Sequence, residues 1–249
     1  MLEVSDLSYS YKKNNKILDN ISFSLKSGEH LSIIGLNGCG KSTLLKCICN
    51  FLNYEGSIKI RGKEVRQVRN RELAKNVSIL FQQNNMYFDY KVSDVIRFGR
   101  YIYERWNFRY GDCENLDIIL KNMGIYHLKD RFMSELSGGE KQRVFISRIL
   151  YQDPYIILLD EFNNNIDLST QIYIIENFRD IFKDKIIVSV FHDLNLVRNL
   201  DSLVMVLKDS KIYKYGDVDS IFNKNILQSV YGVDVQKFMI NSFNKWNKK

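Results

Sequence analysis

Residues Gly35-Leu36-Asn37-Gly38-Cys39-Gly40-Lys41-Ser42 fit the pattern G-x-x-x-x-G-K-[ST]. An apolar segment at 31–35 precedes the pattern and predicts a strand, and an amphipathic segment at 41–50 predicts a helix after it. Glycines let backbone N–H groups turn inward around phosphate oxygens, and a helix N-terminus adds a partial positive charge. The stretch therefore predicts a phosphate-binding loop in which Lys41 reaches the β- and γ-phosphates and Ser42 binds Mg²⁺.

Apolar segments elsewhere in the chain alternate with amphipathic ones. The apolar segments lie at 77–81, 155–159, 186–191 and 203–207, and the amphipathic ones at 168–182 and 194–200. Runs rich in Val, Ile and Leu suit a parallel sheet that is covered on both faces. The alternation of strands and helices therefore predicts an α/β fold.

Two regions depart from this alternation. Segments at 2–9, 17–25 and 57–60 alternate polar with apolar residues and predict antiparallel strands beside the main sheet. Residues 83–152 show mostly helical periodicity, notably at 116–123 and 140–151. The predicted fold class is thus α/β, with a P-loop NTPase core, an antiparallel β subdomain and an inserted helical subdomain.

Composition restricts the classes to which the chain can belong. Its 249 residues, 45% hydrophobic and 26% charged, are typical of a soluble globular protein, and its purely apolar runs are far shorter than the about 20 residues of a membrane-spanning helix. The net charge of +7 is dispersed, which favours a solvated surface with a frayed basic C-terminal tail over a nucleic-acid or lipid site. The first residues lack the features of a secretory signal. The four cysteines form no C-x-x-C pair, so we interpret them as reduced cytosolic thiols.

Two carboxylates end the apolar segment at 155–159. In a parallel sheet, ligands bind beyond the carboxyl ends of the strands. Asp160 is thus placed to hold Mg²⁺ through its water shell, and Glu161 is placed to polarise an attacking water. Strands often end in acidic residues, and a structural role is as plausible on this motif alone. Together with the phosphate loop, the pair predicts a nucleotide hydrolase site.

A third motif, Leu136-Ser137-Gly138-Gly139-Glu140, directly precedes the helical segment at 140–151. A serine and two glycines at a helix N-terminus can form a second anion cradle. The local alternative is an ordinary helix start with Ser137 as the N-cap residue. From the motif alone, the cap is the favoured interpretation.

The three motifs in this order resemble the ATP-binding subunit of ABC transporters, and the resemblance covers residues 2–222. It implies one ATPase domain over 1–225, with a RecA-like core at 1–82 and 153–225, the helical insertion at 83–152, and a C-terminal tail at 226–249. It also implies that two copies pair head to tail with ATP between them. Ser137 would then bind the γ-phosphate held by the partner copy, in place of a purely capping role.

The resemblance assigns roles to further positions. Tyr11 would stack on adenine, with a surface strand residue as the alternative. Gln82 would contact Mg²⁺ and the lytic water, although the adjacent Gln83 allows a slip by one position. His192 would contact the γ-phosphate, and Asp167 would belong to the dimer contact. The other implied nucleotide-binding residues are Gly35, Asn37, Gly38, Cys39, Gly40, Thr43, Gly138 and Gly139. His30 and His127 match no family position, and we interpret them as structural.

One segment departs from the family pattern. After Glu161 the family usually continues with proline and a Thr-Ser pair, whereas this chain reads Phe162-Asn163-Asn164-Asn165 before Asp167. Because proline fixes φ near −65°, its absence predicts a looser turn and an altered dimer contact. The catalytic carboxylate is unaffected by this departure.

The segments at 92–101 and 191–195 resemble the importer ATPases for iron–siderophore complexes, haem and cobalamin. The implied function is an ATP-hydrolysing subunit at the cytoplasmic face of the membrane, with a polytopic permease as partner and Met86, Tyr87 and Phe88 as its contact patch. An amino-acid importer ATPase, a soluble scaffold such as those of iron–sulfur assembly, and a nucleic-acid-associated ATPase are alternatives. The last class usually carries two cassettes, so no nucleic-acid partner is expected.

Overall fold

The computed structural model describes residues 1–12, 15–81, 88–103, 113–162, 168–200 and 202–246. In chain order, the strands in these ranges are β1 (Leu2–Lys12), β2 (Asn15–Leu25), β3 (His30–Ile34), β4 (Glu55–Ile60), β5 (Lys63–Glu64), β6 (Val77–Leu80), β7 (Ile156–Asp160), β8 (Ile186–Val190), β9 (Leu203–Lys208) and β10 (Lys211–Asp217). The helices are α1 (Lys41–Ile48), α2 (Asn70–Asn76), α3 (Val92–Arg97), α4 (Cys113–Asn122), α5 (Gly138–Gln152), α6 (Leu168–Glu176), α7 (Phe178–Ile181), α8 (Leu194–Leu200), α9 (Val218–Ile221), α10 (Lys224–Tyr231) and α11 (Val235–Trp246). Short 3₁₀ turns lie at Val65–Gln67, Phe98–Arg100, Tyr126–Leu128 and Met133–Glu135.

A six-stranded sheet in the order β10-β9-β3-β8-β7-β6 forms the centre of the fold. The strands from β9 to β6 are parallel, and β10 is antiparallel at one edge. Strand β8 lies between β3 and β7 and pairs with both. Because the carboxyl ends of parallel strands share one edge, the segments that follow β3, β7 and β8 emerge side by side.

The second sheet, β2-β1-β4-β5, is antiparallel, and α1 packs between it and the central sheet. Leu44, Leu45 and Ile48 of α1 are fully buried in one cluster with residues of both sheets, such as Ile21 and Leu158. Side chains alternate across a strand, so Ile157 and Leu159 face the opposite cluster.

That opposite cluster contains apolar residues from the predicted helical insertion and from the C-terminal part of the chain. Val95, Leu120 and Ile146 of α3, α4 and α5 are fully buried there. The last turn of α5 is also tied to the edge strand, since the Ser78 hydroxyl donates to Gln152 at 2.9 Å. The predicted fold class is therefore confirmed, with one helix-rich face and one β-rich face.

One detail differs from the sequence-based expectations. The helix predicted at 168–182 is divided into α6 and α7, because Asn177 has a non-helical backbone and its amide donates to the Tyr173 carbonyl at 2.7 Å. The C-terminal tail placed at 226–249 contains most of α10 and all of α11, and Leu227 and Val230 of α10 are buried in the core. Among the described residues, no helix is long and apolar enough to cross a membrane.

Candidate functional site

The loop at 35–42 connects β3 to α1 and is closed around Lys41. The Lys41 side chain is only 5% exposed, and its Nζ donates to the carbonyl oxygens of Gly35 and Leu36, both at 2.9 Å. A buried ammonium needs such acceptors because desolvation of an unpaired charge is costly. The loop therefore holds a cation at its centre, next to the N-terminus of an eight-residue helix.

Two glycines of the loop leave no room for a side chain. Gly35 has φ +147°, and a Cβ there would lie 2.3 Å from the carbonyl oxygen of Leu207 at the end of β9. Gly40 has φ +104°, and a Cβ would lie 2.7 Å from the Ile17 carbonyl oxygen on β2. The tertiary packing of two strands thus requires glycine at both positions.

Ser42 and Asp160 meet although they lie far apart in the sequence. The Ser42 hydroxyl donates to the Asp160 carboxylate at 2.8 Å, and Asp160 is 7% exposed. Burial raises the pKa of Asp160 above its usual value, and the hydrogen bond from Ser42 opposes this rise. A buried carboxylate next to a hydroxyl is a pair of hard oxygen donors, which is the donor type that Mg²⁺ prefers.

Glu161 and His192 follow β7 and β8 and meet because these strands are neighbours. Glu161 has φ +50°, a conformation uncommon for a residue with a side chain, and its N–H donates to the Val190 carbonyl at 3.2 Å. The His192 Nε2 and Glu161 Oε1 atoms are in hydrogen-bond contact. The unusual backbone at Glu161 thus accompanies the pairing of two predicted catalytic side chains.

Lys41, Ser42, Glu161 and His192 line one open cleft of about 440 Å³, and Asp160 adjoins it through its hydrogen bond with Ser42. Its lining residues are Tyr11, Ile17, Asn37, Gly38, Gly40, Lys41, Ser42, Thr43, Glu161 and His192. Tyr11 is 58% exposed, and its ring contacts the Tyr9 ring edge-on at a centroid distance of 4.9 Å. The cleft thus combines a cation, a helix N-terminus, an acidic group and an exposed aromatic ring, as a nucleotide requires.

The cleft also contains a residue that the sequence did not indicate. Ile17 reaches it from β2 of the antiparallel sheet, and no motif marks this position. An apolar side chain in an otherwise polar cleft suits the face of a base or sugar. Cys39, within the loop, is half-buried and is not among the cleft-lining residues.

Ser137 lies apart from the cleft and caps α5. Its hydroxyl accepts from the Glu140 N–H at 3.3 Å, and the Glu140 carboxylate accepts from the Ser137 N–H at 2.8 Å. This reciprocal arrangement is a capping box, and it holds the pKa of Glu140 below its usual value. Ser137 and Gly138 are exposed and Gly139 is buried. In the single chain, Ser137 therefore acts as the N-cap residue of α5.

Several predicted residues lie outside the described residues: Gln82, Gln83, Met86, Tyr87, Asn163, Asn164, Asn165 and Asp167. Phe162, which replaces the family's proline, is described. It is buried, and its ring lies against Phe191 at a centroid distance of 5.7 Å. The segment after Glu161 therefore begins with an apolar anchor, a feature that the sequence analysis did not foresee.

His30 is partly buried and lies away from the cleft. Its Nε2 is 3.0 Å from the Ser189 hydroxyl, and its ring stacks on Phe178 at 4.7 Å. Burial lowers the pKa of His30 to about 3, so the imidazole is neutral at physiological pH. His127 is exposed in the turn Tyr126–Leu128. Neither histidine belongs to the cleft.

Comparisons with known proteins identify the family of the chain. A sequence profile of the family described as ABC transporter matches residues 18–164. The chain is 40% identical, over 94% of its length and 92% of the relative, to an uncharacterized ABC transporter ATP-binding protein of Methanocaldococcus jannaschii. It is 31% identical, over 94% of both chains, to a petrobactin import ATP-binding protein of Bacillus subtilis.

The fold has solved counterparts as well. A structure described as an inward-facing conformation of a putative metal-chelate type ABC transporter superposes with a TM-score of 0.81 at 24% identity, covering 94% of this chain and 89% of the other. The family match, the identity to relatives and the architecture converge. This chain belongs to the ABC transporter family, as an ATP-binding importer subunit whose ATPase activity is coupled to transport.

Proposed function

We propose that the cleft binds ATP with its phosphates inside the 35–42 loop and hydrolyses it with Glu161 as general base. The observation that carries this proposal is the convergence of Lys41, Asp160, Glu161 and His192 at one edge of the central sheet. Phosphoryl transfer depends almost entirely on positioning and charge neutralisation, and these four side chains supply both. Tyr11 and Ile17 would contact the adenosine portion at the outer end of the cleft.

Lys41 has a defined part in nucleotide binding. Its ammonium is held by the Gly35 and Leu36 carbonyls within the loop, so phosphate oxygens would replace acceptors that are already close by. Little side-chain freedom is lost on binding, which favours affinity. The neighbouring helix N-terminus adds its partial positive charge to the same site.

Ser42 and Asp160 would hold Mg²⁺, with Gln82 as a further ligand. The hydroxyl and the buried carboxylate fit the ion because both are hard oxygen donors. Burial disfavours the charged form of Asp160, and a bound cation would stabilise that form. The ion would neutralise charge on the phosphates. In the hydrolytic step, Glu161 accepts a proton from the attacking water, and His192 orients the Glu161 carboxylate through their contact.

The test of this chemistry is Glu161→Gln. The amide keeps the shape of the side chain but cannot accept the proton, so ATP turnover should be abolished while ATP binding persists. Glu55→Gln changes an exposed carboxylate on β4 and serves as the matched control with normal turnover. Normal hydrolysis by Glu161→Gln would refute the assignment of the base.

The nucleotide-binding site would be completed by a second copy of the chain. Ser137 and Gly138 are exposed and are not among the residues that line the cleft of their own chain, which supports a cradle at the start of α5 that serves another molecule. In a head-to-tail dimer it would contact the γ-phosphate that the partner's loop holds. Gly139 and Asp167 would take part in the same contact.

The transport partner would be a polytopic permease that receives this subunit at the cytoplasmic face of the membrane. The expected contact lies beside the 82–88 segment and the helical insertion. There Phe88 is 70% exposed and lies next to Tyr90, whose ring contacts Phe98. Exposed aromatic groups of this kind are enriched in protein interfaces, and Met86 and Tyr87 would extend the patch.

The transported solute would be a metal chelate of the iron–siderophore, haem or cobalamin type. The name of the Bacillus subtilis relative, a petrobactin import protein, and the resemblance of residues 92–101 support this class. The test is uptake of radiolabelled chelates by cells that lack the subunit, with amino-acid uptake measured in parallel. Loss of amino-acid uptake alone would favour the alternative solute and leave the ATPase chemistry intact.

A further inference from the structure

The short segment that leads into Ser137 is held by three carboxylates. Glu135 accepts from the Phe132 N–H at 2.7 Å within the turn itself, and Glu140 accepts from the Ser137 N–H on the helix side. The third carboxylate, Asp89, comes from a part of the chain 45 residues away. Asp89 therefore differs from the other two, because it ties this segment to another region of the molecule.

Asp89 holds Ser134 with both of its oxygens. Oδ1 accepts from the Ser134 N–H at 3.0 Å, and Oδ2 accepts from the Ser134 hydroxyl at 2.6 Å. These bonds hold the pKa of Asp89 below its usual value. Two hydrogen bonds to one carboxylate fix both distance and orientation, which a single contact to an exposed side chain would not do.

The backbone continues the same attachment beyond Asp89. The Met133 N–H donates to the Tyr90 carbonyl at 2.9 Å, and the Val92 N–H donates to the Arg131 carbonyl at 2.9 Å. Between them lies an antiparallel bridge between Lys91 and Phe132. The two segments thus run side by side and antiparallel, and the Asp89–Ser134 pair lies at the end next to Phe88 in one segment and nearer Ser137 in the other.

We propose that Asp89 and Ser134 are positioning residues for ATP turnover, which link the segment that begins at Phe88 to the Ser137 cradle. This inference rests on the proposed function, since it uses Ser137 as the group that completes the site of a second copy. Neither residue lines the nucleotide cleft. Their effect is on the placement of the cradle and thus on the rate of hydrolysis, and ATP binding by a single chain does not involve them.

The contact between Asp89 and Ser134 can be removed without unfolding the protein. Asp89 and Ser134 are exposed, and the backbone bonds of Tyr90 and Val92 do not depend on either side chain. Residues that couple two parts of a protein in this way change function by about 0.5–2 kcal/mol. The corresponding loss in kcat is roughly 2- to 30-fold.

The experiment measures kcat, the ATP dissociation constant and the melting temperature for Asp89→Ala, Ser134→Ala and the double variant of the full chain. We expect each single variant to lower kcat by roughly fivefold with an unchanged ATP dissociation constant. The double variant should be no worse than either single one, because both remove the same link. Asp89→Asn should restore most of the rate, since its amide oxygen can accept from the Ser134 N–H and its NH₂ can donate to the hydroxyl.

A matched control is available on the other side of the molecule. Asp217 caps α9, and its Oδ1 accepts from the Ser220 N–H at 2.8 Å, also at an exposed position. Asp217→Ala and Ser220→Ala should lower the melting temperature about as much as the test variants do, with kcat unchanged. A fall in kcat that merely followed stability would appear in these controls as well, and it would overturn the inference.

The inference and the proposed function fail in different ways. Unchanged kcat in Asp89→Ala and Ser134→Ala, beside a wild-type chain that hydrolyses ATP, would overturn the link alone. Losses that multiply in the double variant would also overturn it, because independent effects do not describe one pair. Normal turnover by Glu161→Gln would instead remove the proposed chemistry on which the link depends.

Discussion

Replacing Gly35 by alanine tests whether the packing of β9 dictates the shape of the phosphate loop. The added Cβ would lie 2.3 Å from the Leu207 carbonyl oxygen and 2.9 Å from the Cys39 sulfur, at φ +147°. A sparsely populated backbone conformation costs about 1–3 kcal/mol, and forcing an extra group into a packed region costs about 1–3 kcal/mol. We therefore expect Gly35→Ala to lose about 2–6 kcal/mol of unfolding free energy, less the about 0.4–1 kcal/mol that reduced freedom of the unfolded chain returns.

Gly38→Ala is the matched control in the same loop. Gly38 has φ +79°, and a Cβ there meets nothing within 4 Å, so only the backbone strain of about 1–2 kcal/mol remains. Reduced freedom of the unfolded chain offsets about 0.4–1 kcal/mol of that cost. Urea unfolding of both variants measures the difference. If the free energy of unfolding of Gly35→Ala is less than about 1 kcal/mol below that of Gly38→Ala, the steric argument is refuted.

Four other expectations can be tested with the same chain. An equal mixture of Ser137→Arg and Lys41→Ala chains should regain about a quarter of wild-type ATPase activity if the sites act independently, because random pairing makes about half of the dimers heterodimers and each heterodimer has one of its two sites intact. Activity no higher than that of either variant alone would contradict the shared site. Tyr11→Ala should weaken ATP binding roughly 5- to 150-fold by loss of base stacking, whereas Tyr213→Ala on β10 should leave it unchanged; nucleotide titration measures both. Tyr87→Asp with Phe88→Asp should uncouple chelate uptake while the basal ATPase activity of the isolated subunit survives; unchanged uptake would exclude the patch as the permease contact. Burial raises the pKa of Cys47 and of Cys49 to about 12, so at pH 8 iodoacetamide should modify these thiols only in urea, as detected by mass spectrometry. Rapid modification of the folded protein would contradict the burial of the two thiols.

The fold class followed from local patterns. Apolar runs of the length of β7 and β8 mark strands that are covered on both faces, and the structure buries every residue of both. Ser137 likewise indicated a helix start as an N-cap residue, and the structure forms a capping box there with Glu140. A signal for α10 was also available, because Leu227, Val230 and Tyr231 have helical spacing and pack in or against the core.

The sequence by itself determined the local motifs, which are the glycine-rich loop, the acidic strand end and the capped helix. Each depends on residues a few positions apart, so spacing alone reveals it. Only the tertiary structure decided that Ser42 meets Asp160, that Glu161 meets His192, and that Ile17 enters the cleft. The physical reason is strand order. Pairing β8 between β3 and β7 brings the three strand ends together, and that order is set by packing among distant residues, which no local spacing records.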